Sequence, residues 1–288
     1  MKSEVKNELK HTQKKQTVMN RRLKLFGFAA LVAGFCFGKS LSLMAQEEEP
    51  PPMYINIGFY KVDQENRAAY EMLMKDVFGP IMQKRVDEGC LNNWIFRRVL
   101  PNSSLFGEFT HMTLDVMLPG EEGYWNCEAN LEEVFPGLSP EVRKYLYQEK
   151  NSLRTLVQRV RTSYVAGYTS LTQAPPIAVF NLSKTKSDQY EAKHRDGFAD
   201  FFAEGSNTVA WHAMKRIDST AWAKWEWDYL TVDCYETPAK MREPVRFPAE
   251  KSRYYQENYG PASDQRDILM RAETRLLFAT EKKEAPKN

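Results

Sequence analysis

The stretches that decide the fold are HMTLD at residues 111–115 and YLTVD at residues 229–233. Each alternates an apolar side chain with a polar one, the mark of a strand whose successive residues face opposite ways. They also match each other. Working outward, the same order of matches continues on both sides. Tyr70-Glu71 recurs as Tyr190-Glu191, Phe78 as Phe198, Arg98-Val99 as Arg216-Ile217 and Phe135-Pro136 as Phe247-Pro248. Arg154, Arg159 and Thr162 recur as Arg266, Arg271 and Thr274. Ordered matches with a slowly drifting offset are the signature of an internal repeat.

Each copy reads as strand, helix, two strands, helix, strand. In the first copy the strand Tyr54–Val62 leads. Tyr70, Leu73, Met74, Val77 and Ile81 then fall at helical spacing, and Gly79-Pro80 should kink or split that helix. Strands Asn93–Leu100 and Phe109–Leu118 follow. Ser139-Pro140 supplies an N-cap and first-turn pair for a second helix with stripe Val142, Leu146, Leu153, Leu156, Val157 and Val160. Ser163–Ser170 is the closing strand. The second copy repeats this with strands Ile177–Ser183, Thr208–Ile217, Trp227–Tyr235 and Thr274–Ala279, and helices Lys186–Glu204 and Ser263–Ala272. The fold class is therefore α+β, two tandem ferredoxin-like βαββαβ repeats over 54–170 and 171–280.

The N-terminal 45 residues read as a signal peptide. Eight Lys/Arg precede an uncharged, mostly apolar run from Leu25 to Gly38, and Lys39 ends that run too early for a membrane span. Cleavage after Ala45 is expected, with no membrane attachment afterwards and a secreted or periplasmic product. Residues 46–53 form a charged, Pro-rich linker, and 281–288 a disordered tail. The leader holds nine basic and two acidic residues, so the mature chain carries a net charge of −5. That argues against nucleic acid as partner, because phosphate binding needs clustered positive charge. Cys90, Cys127 and Cys234 allow one disulfide and one thiol in an oxidising compartment, and no Cys/His cluster has metal spacing.

On the third strand of each copy the apolar set is expected to cover the helices. The polar set, His111, Thr113 and Asp115 or Tyr229, Thr231 and Asp233, then faces the opposite sheet. Ile57 and Phe59, with Ile177 and Val179, are placed on the helix side, and Tyr60 on the polar side. The second strand offers Trp94 and Arg98, or His212 and Arg216, for that polar side, subject to a hairpin register that a slip of one residue reverses. Asp115, Asp233, His111 and His212 are the candidate acid/base groups. Tyr60, Trp94, Arg98, Thr113, Arg216, Tyr229 and Thr231 are the candidate ligand contacts. Against this stands a structural reading, in which Asp115 and Asp233 are satisfied by Arg98 and Arg216 and the aromatics pack between sheets. No G-x-S-x-G, P-loop or G-x-G-x-x-G motif occurs at a strand–helix turn.

A strand, a kinked helix carrying Phe78-Gly79-Pro80-Ile81, a strand with Trp94 and a strand with His111 resemble the dimeric α+β barrel superfamily. NIPSNAP-like, EthD-like and antibiotic-biosynthesis-monooxygenase-like domains belong to it. The resemblance covers residues 54–280 as element order and patterning, with no catalytic motif matched. It implies that the two repeats pair their sheets into a pseudo-dimeric α+β barrel, around a cavity that takes a small organic molecule. It also implies oxygenase or isomerase chemistry without a cofactor in some members, and haem in a few branches. The expected function is binding, or transformation, of a small apolar or aromatic molecule between the sheets, by a monomer or homodimer. The alternative is a structural or interaction protein with a filled inter-sheet core.

Overall fold

The computed structural model describes residues 53–101, 103, 108–117, 129–171, 173–218, 225–244 and 246–281. The expected leader, nearly all of the linker and of the tail, and Cys127 lie outside the described residues.

Eight strands form one closed antiparallel barrel: β1 (Tyr54–Lys61), β2 (Asn93–Val99), β3 (His111–Val116), β4 (Thr155–Thr169), β5 (Ile177–Thr185), β6 (Ala210–Arg216), β7 (Tyr229–Tyr235) and β8 (Arg266–Ala279). The order around it is β1-β3-β2-β8-β5-β7-β6-β4, with β4 returning to β1. Strands β4-β1-β3-β2 make one half and β8-β5-β7-β6 the other. The ladders β2–β8 and β4–β6 join them. Among the described residues, closure leaves no strand of the barrel at an open edge.

Helices α1 (Arg67–Leu73) and α2 (Gly79–Asp87) flank a π-helical turn, Met74–Phe78. Pro80 stands in the first turn of α2, where its missing N–H costs nothing. The short α3 (Leu131–Val134) and then α4 (Pro140–Ser152) complete this layer, and the Ser139 hydroxyl caps α4 by accepting from the Val142 N–H at 3.3 Å. In the second half α5 (Gln189–Lys193) and α6 (Ala199–Gly205) flank the π-helical turn His194–Phe198. Then come α7 (Pro238–Arg242), α8 (Ala249–Tyr259) and α9 (Ala262–Gln265).

Two expectations change. The last strands begin earlier than expected, so Leu156, Val157 and Val160 lie on β4, and Arg266–Ala272 on β8 rather than on a helix. Val157 and Val160 both reach the interior cluster although three residues apart. A bulge, where β1 shifts register against β4 between Phe59 and Tyr60, makes this possible, and the same spacing imitates a helical stripe.

The second change is the direction of the faces. Ile57, Phe59, Met112 and Leu114 point into the barrel, with Phe180, Leu182, Leu230 and Val232 from the other half. The polar alternates face outward, under the helices. The larger apolar mass fills the interior because strands enclose that space all the way round. The ladders also correct the match between halves. Tyr60 lies opposite His111 and Ser183 opposite Tyr229, so Ser183 takes the place of Tyr60. Likewise Trp94 faces Asp115 and Trp211 faces Asp233, so Trp211 matches Trp94, and Lys215 matches Arg98. The expected matches on these strands were off by an odd number of residues, so Ile177 and Val179 do lie on the helix side and His212 faces the interior, as expected, while Ile57 and Phe59, matched to the wrong partners, face the interior instead.

Gly167 on β4 is fixed by its neighbours. A Cβ there would stand 2.5 Å from the Trp211 carbonyl oxygen and 2.6 Å from His212 Nδ1. Backbone cannot retreat as a side chain can. Gly167→Ala should lower stability by roughly 1–3 kcal/mol in urea unfolding, whereas Gly137→Ala, with open space around it, should leave the midpoint nearly unchanged.

Candidate functional site: a cavity at one end of the barrel

The two ends of the interior differ. One end is closed by aromatic rings: Phe59 meets Phe109 at 4.8 Å and Trp225 at 5.4 Å between centroids. Arg216 finishes this plug. Its Nη1 donates to the Trp225 carbonyl at 3.0 Å, its Nε donates to Asp218 at 2.8 Å, and its guanidinium lies 5.2 Å from the Trp227 ring centroid.

The other end holds a cavity of about 310 Å3. Ile55, Leu114 and Val116 line it from the first half, and Ala178, Phe180 and Val232 from the second. Its polar lining is Arg97, Tyr164 and His212 with Asn92, Asn93, Thr169 and Gln173, and Cys234 adds a thiol. Arg97 is only 2% exposed. Its Nε donates to Thr274 Oγ1 at 2.7 Å and its Nη2 to the Pro175 and Pro176 carbonyls at 3.0 and 3.1 Å. Among the described residues no carboxylate pairs with it. Burial lowers its pKa to about 10, so it stays charged at neutral pH.

Tyr164 Oη approaches His212 Nδ1 at 3.5 Å, over the space that Gly167 leaves open. Burial pushes Tyr164 up to about 12 and His212 down to about 4. The free thiol of Cys234 rises to about 12, also by burial, so it is a buried small apolar group and not a nucleophile. At neutral pH the cavity thus offers one cation, one neutral imidazole, one phenol, three side-chain amides and a threonine hydroxyl beside its apolar walls. Such a set can orient a polar substituent on an otherwise apolar ligand.

Of the residues expected at the site, His212 lines this cavity and Arg216 seals the far end. The others lie outside the barrel. His111 Nε2 is 2.9 Å from Glu71 Oε1 of α1, and its Nδ1 is 2.9 Å from Thr110 Oγ1. Arg98 Nε donates to the same Glu71 Oε1 at 2.6 Å. Burial of Glu71 opposes its ionisation, but the His111 and Arg98 bonds prevail and bring its pKa to about 2. Burial lowers His111, against the raising effect of Glu71. Tyr60 carries the Arg154 guanidinium 4.1 Å over its ring, and Trp94 stacks near Phe96 at 6.0 Å. Thr113 and Asp115 share this outer face.

Tyr229, Thr231 and Asp233 lie under the second helical layer. Asp233 accepts from Asn181 Nδ2 at 2.8 Å, and burial raises its pKa. The two aspartates stand on different halves beneath different helices and do not share a cavity. Arg97, Tyr164 and Cys234 were not among the expected site residues. Arg97 and Arg98 are neighbours on one strand, so one must face inward, and only the register says which.

A haem seat was tested against the histidines. Both His111 ring nitrogens are engaged. His194 has Trp211 and Tyr229 stacked at 5.3 Å on its ring. His212 opens into about 310 Å3, near the lower end of the roughly 300–1,000 Å3 that drug-sized ligands occupy, and a porphyrin is larger. The described residues do not form a seat for it. Haem added to the purified protein should give no Soret band beyond that of free haem.

The depressed histidine fixes the pH dependence. His212 has a folded pKa of about 4 against an ordinary 6.5. Below pH 6.5 the unfolded chain binds the proton first, so this stability is lost as pH falls towards 4. His212→Asn should flatten the acid limb of a stability–pH profile by roughly 1–3 kcal/mol.

No family model matches the chain, and no curated protein matches it in sequence. Solved structures do match. A candidate monooxygenase from Lactobacillus acidophilus aligns with a TM-score of 0.50 at 11% identity, over 81% of this chain and 97% of that one. One from Fusobacterium nucleatum gives 0.47 at 10%, over 82% and 97%. An anthrone oxidase-like protein gives 0.46 at 12%, over 82% and 95%. At such identities the likeness is one of fold. With its eight antiparallel strands closed and its helices outside, the chain shares the fold of the Lactobacillus protein.

Proposed function

We propose that the protein binds a small apolar or aromatic molecule in the barrel-end cavity, with Arg97, Tyr164 and His212 orienting a polar substituent. The observation that carries this is the cavity itself: about 310 Å3 walled by apolar side chains of both halves, with a buried cation in its wall. Ferredoxin-like strand order in each half, and the single set of equivalences that satisfies all the ladders, support a tandem duplication. The barrel closes within one chain, so its closure needs no second copy. Export fits the disulfide at Cys90, since such bonds persist in oxidising compartments.

The structural reading draws on the first half. Glu71, Arg98 and His111 satisfy one another there, as a network without chemistry would. This accounts for the outer face and leaves the interior cavity unexplained.

Native mass spectrometry of protein purified gently from an export-competent host should show a retained small molecule. Ala178→Phe, which fills the cavity, should remove it while the circular dichroism spectrum is kept. A bare mass from the unaltered protein, or a ligand equally retained by Ala178→Phe, would sink the proposal.

A further inference from the structure

A second pocket, about 300 Å3, lies outside the barrel beneath the helices of the second half. We infer that it binds a compact aromatic anion, an aromatic carboxylate, seated on Lys193 and Arg266.

The pocket exists because the two halves differ at matched positions. In the first half Leu73 and Met74 are core residues where α1 meets the π-helical turn. Their matches are Lys193 and His194, at the same junction of α5 with its own π-helical turn. Tyr60 folds back over Gly58, so closely that a Cβ on Gly58 would stand 2.6 Å from the Tyr60 Oη, and its ring covers Arg154. Arg266 matches Arg154, but Ser183 stands where Tyr60 stood. The ring that fills the first half is missing from the second, and two apolar plugs have become basic side chains.

The resulting space is lined for an anion. Lys193 is 7% exposed, and its one hydrogen bond is from Nζ to Gln265 Oε1 at 3.1 Å. Arg266 Nη1 donates to Thr231 Oγ1 at 3.1 Å. Neither cation has an ion-pair partner among the described residues. The nearby carboxyl, Asp233, is held by Asn181 and kept towards its neutral form by burial. His194 is 2% exposed with both ring nitrogens unbonded. Lys193 is buried and Arg266 half-buried with no ion-pair partner within salt-bridge distance among the described residues, and a bound carboxylate would supply one. The remaining walls are flat rings. Phe202 stacks on Trp211 at 5.0 Å and an interplanar angle of 8°, with Phe198 and Phe247 beside them. These select an aromatic body over a bare inorganic ion.

Helix α8 holds the roof. Tyr254 and Tyr259 both donate to Asp196 Oδ2 at 2.8 Å, and Tyr255 donates to the Asp196 carbonyl at 2.9 Å. They pin the π-helical turn at Gly197, whose φ of +79° is open to glycine without strain.

The test is calorimetric titration of the purified protein with benzoate, benzamide and inorganic phosphate. Benzoate should bind one to one, about tenfold or more tighter than either of the others. Lys193→Met should weaken it by about tenfold or more, and Ser183→Tyr, which restores the ring of the first half, should abolish it. Affinity should fall above about pH 8, where Lys193, lowered by burial and by Arg266, loses its proton. Asp233, His194 and Tyr190 also face the pocket, and none gains a positive charge in that range. Equal affinity for benzamide, tighter binding of phosphate, no benzoate heat, or binding unchanged in both variants would overturn the inference. So would benzoate binding kept by Ser183→Tyr and lost in Ala178→Phe, which would place the anion in the barrel and leave the reading of that cavity intact.

Discussion

Barrel closure is the constraint on which the rest depends. Two four-stranded sheets meet along the β2–β8 and β4–β6 ladders. Each ladder satisfies a row of backbone groups that an open sheet would expose. Once both are made, the inner faces see only each other, and the deepest apolar residues collect there. The helices then rest on the outer faces, where polar strand residues find helix partners such as Glu71. Every placement of a candidate side chain follows from that choice of inside and outside.

The sequence carried the architecture well. Strand alternation at 111–115 and 229–233 and the Ser139 cap appear as read, whereas the backbone stays helical through Gly79 and the irregularity is the π-helical turn Met74–Phe78 before it. Faces were the hard part. Alternation says that Leu114 and Asp115 point opposite ways, but not which one points to the helices. A polar cavity between the sheets was a reasonable expectation, yet the interior is mostly apolar. Register was the other obstacle. An offset wrong by one on the second strand set His212 against Trp94, although Trp211 was the residue that shared its chemistry and its place. The last strands were misread because a bulge lets Val157 and Val160 share a face at helical spacing.

The two halves divide the labour of one fold. In the first, matched positions are filled with Tyr60, Leu73 and Met74, and a closed Glu71–Arg98–His111 network stabilises the layer. In the second, Ser183, Lys193 and His194 stand at those positions, and a pocket lies beside Lys193 and His194. Between them the barrel keeps one end sealed by Phe59, Phe109 and Trp225 and the other end hollow. A chain selected for packing alone would fill both ends, because lost contacts around a void cost stability.

The central claim is that the barrel end is a cavity with an apolar inner wall, able to take a guest. It is tested most directly by a crystal structure of the protein under xenon pressure, since dry apolar cavities bind that atom. The account predicts a xenon peak among Ile55, Leu114, Phe180 and Val232. Side chains filling that space, with no xenon between the sheets, would contradict it.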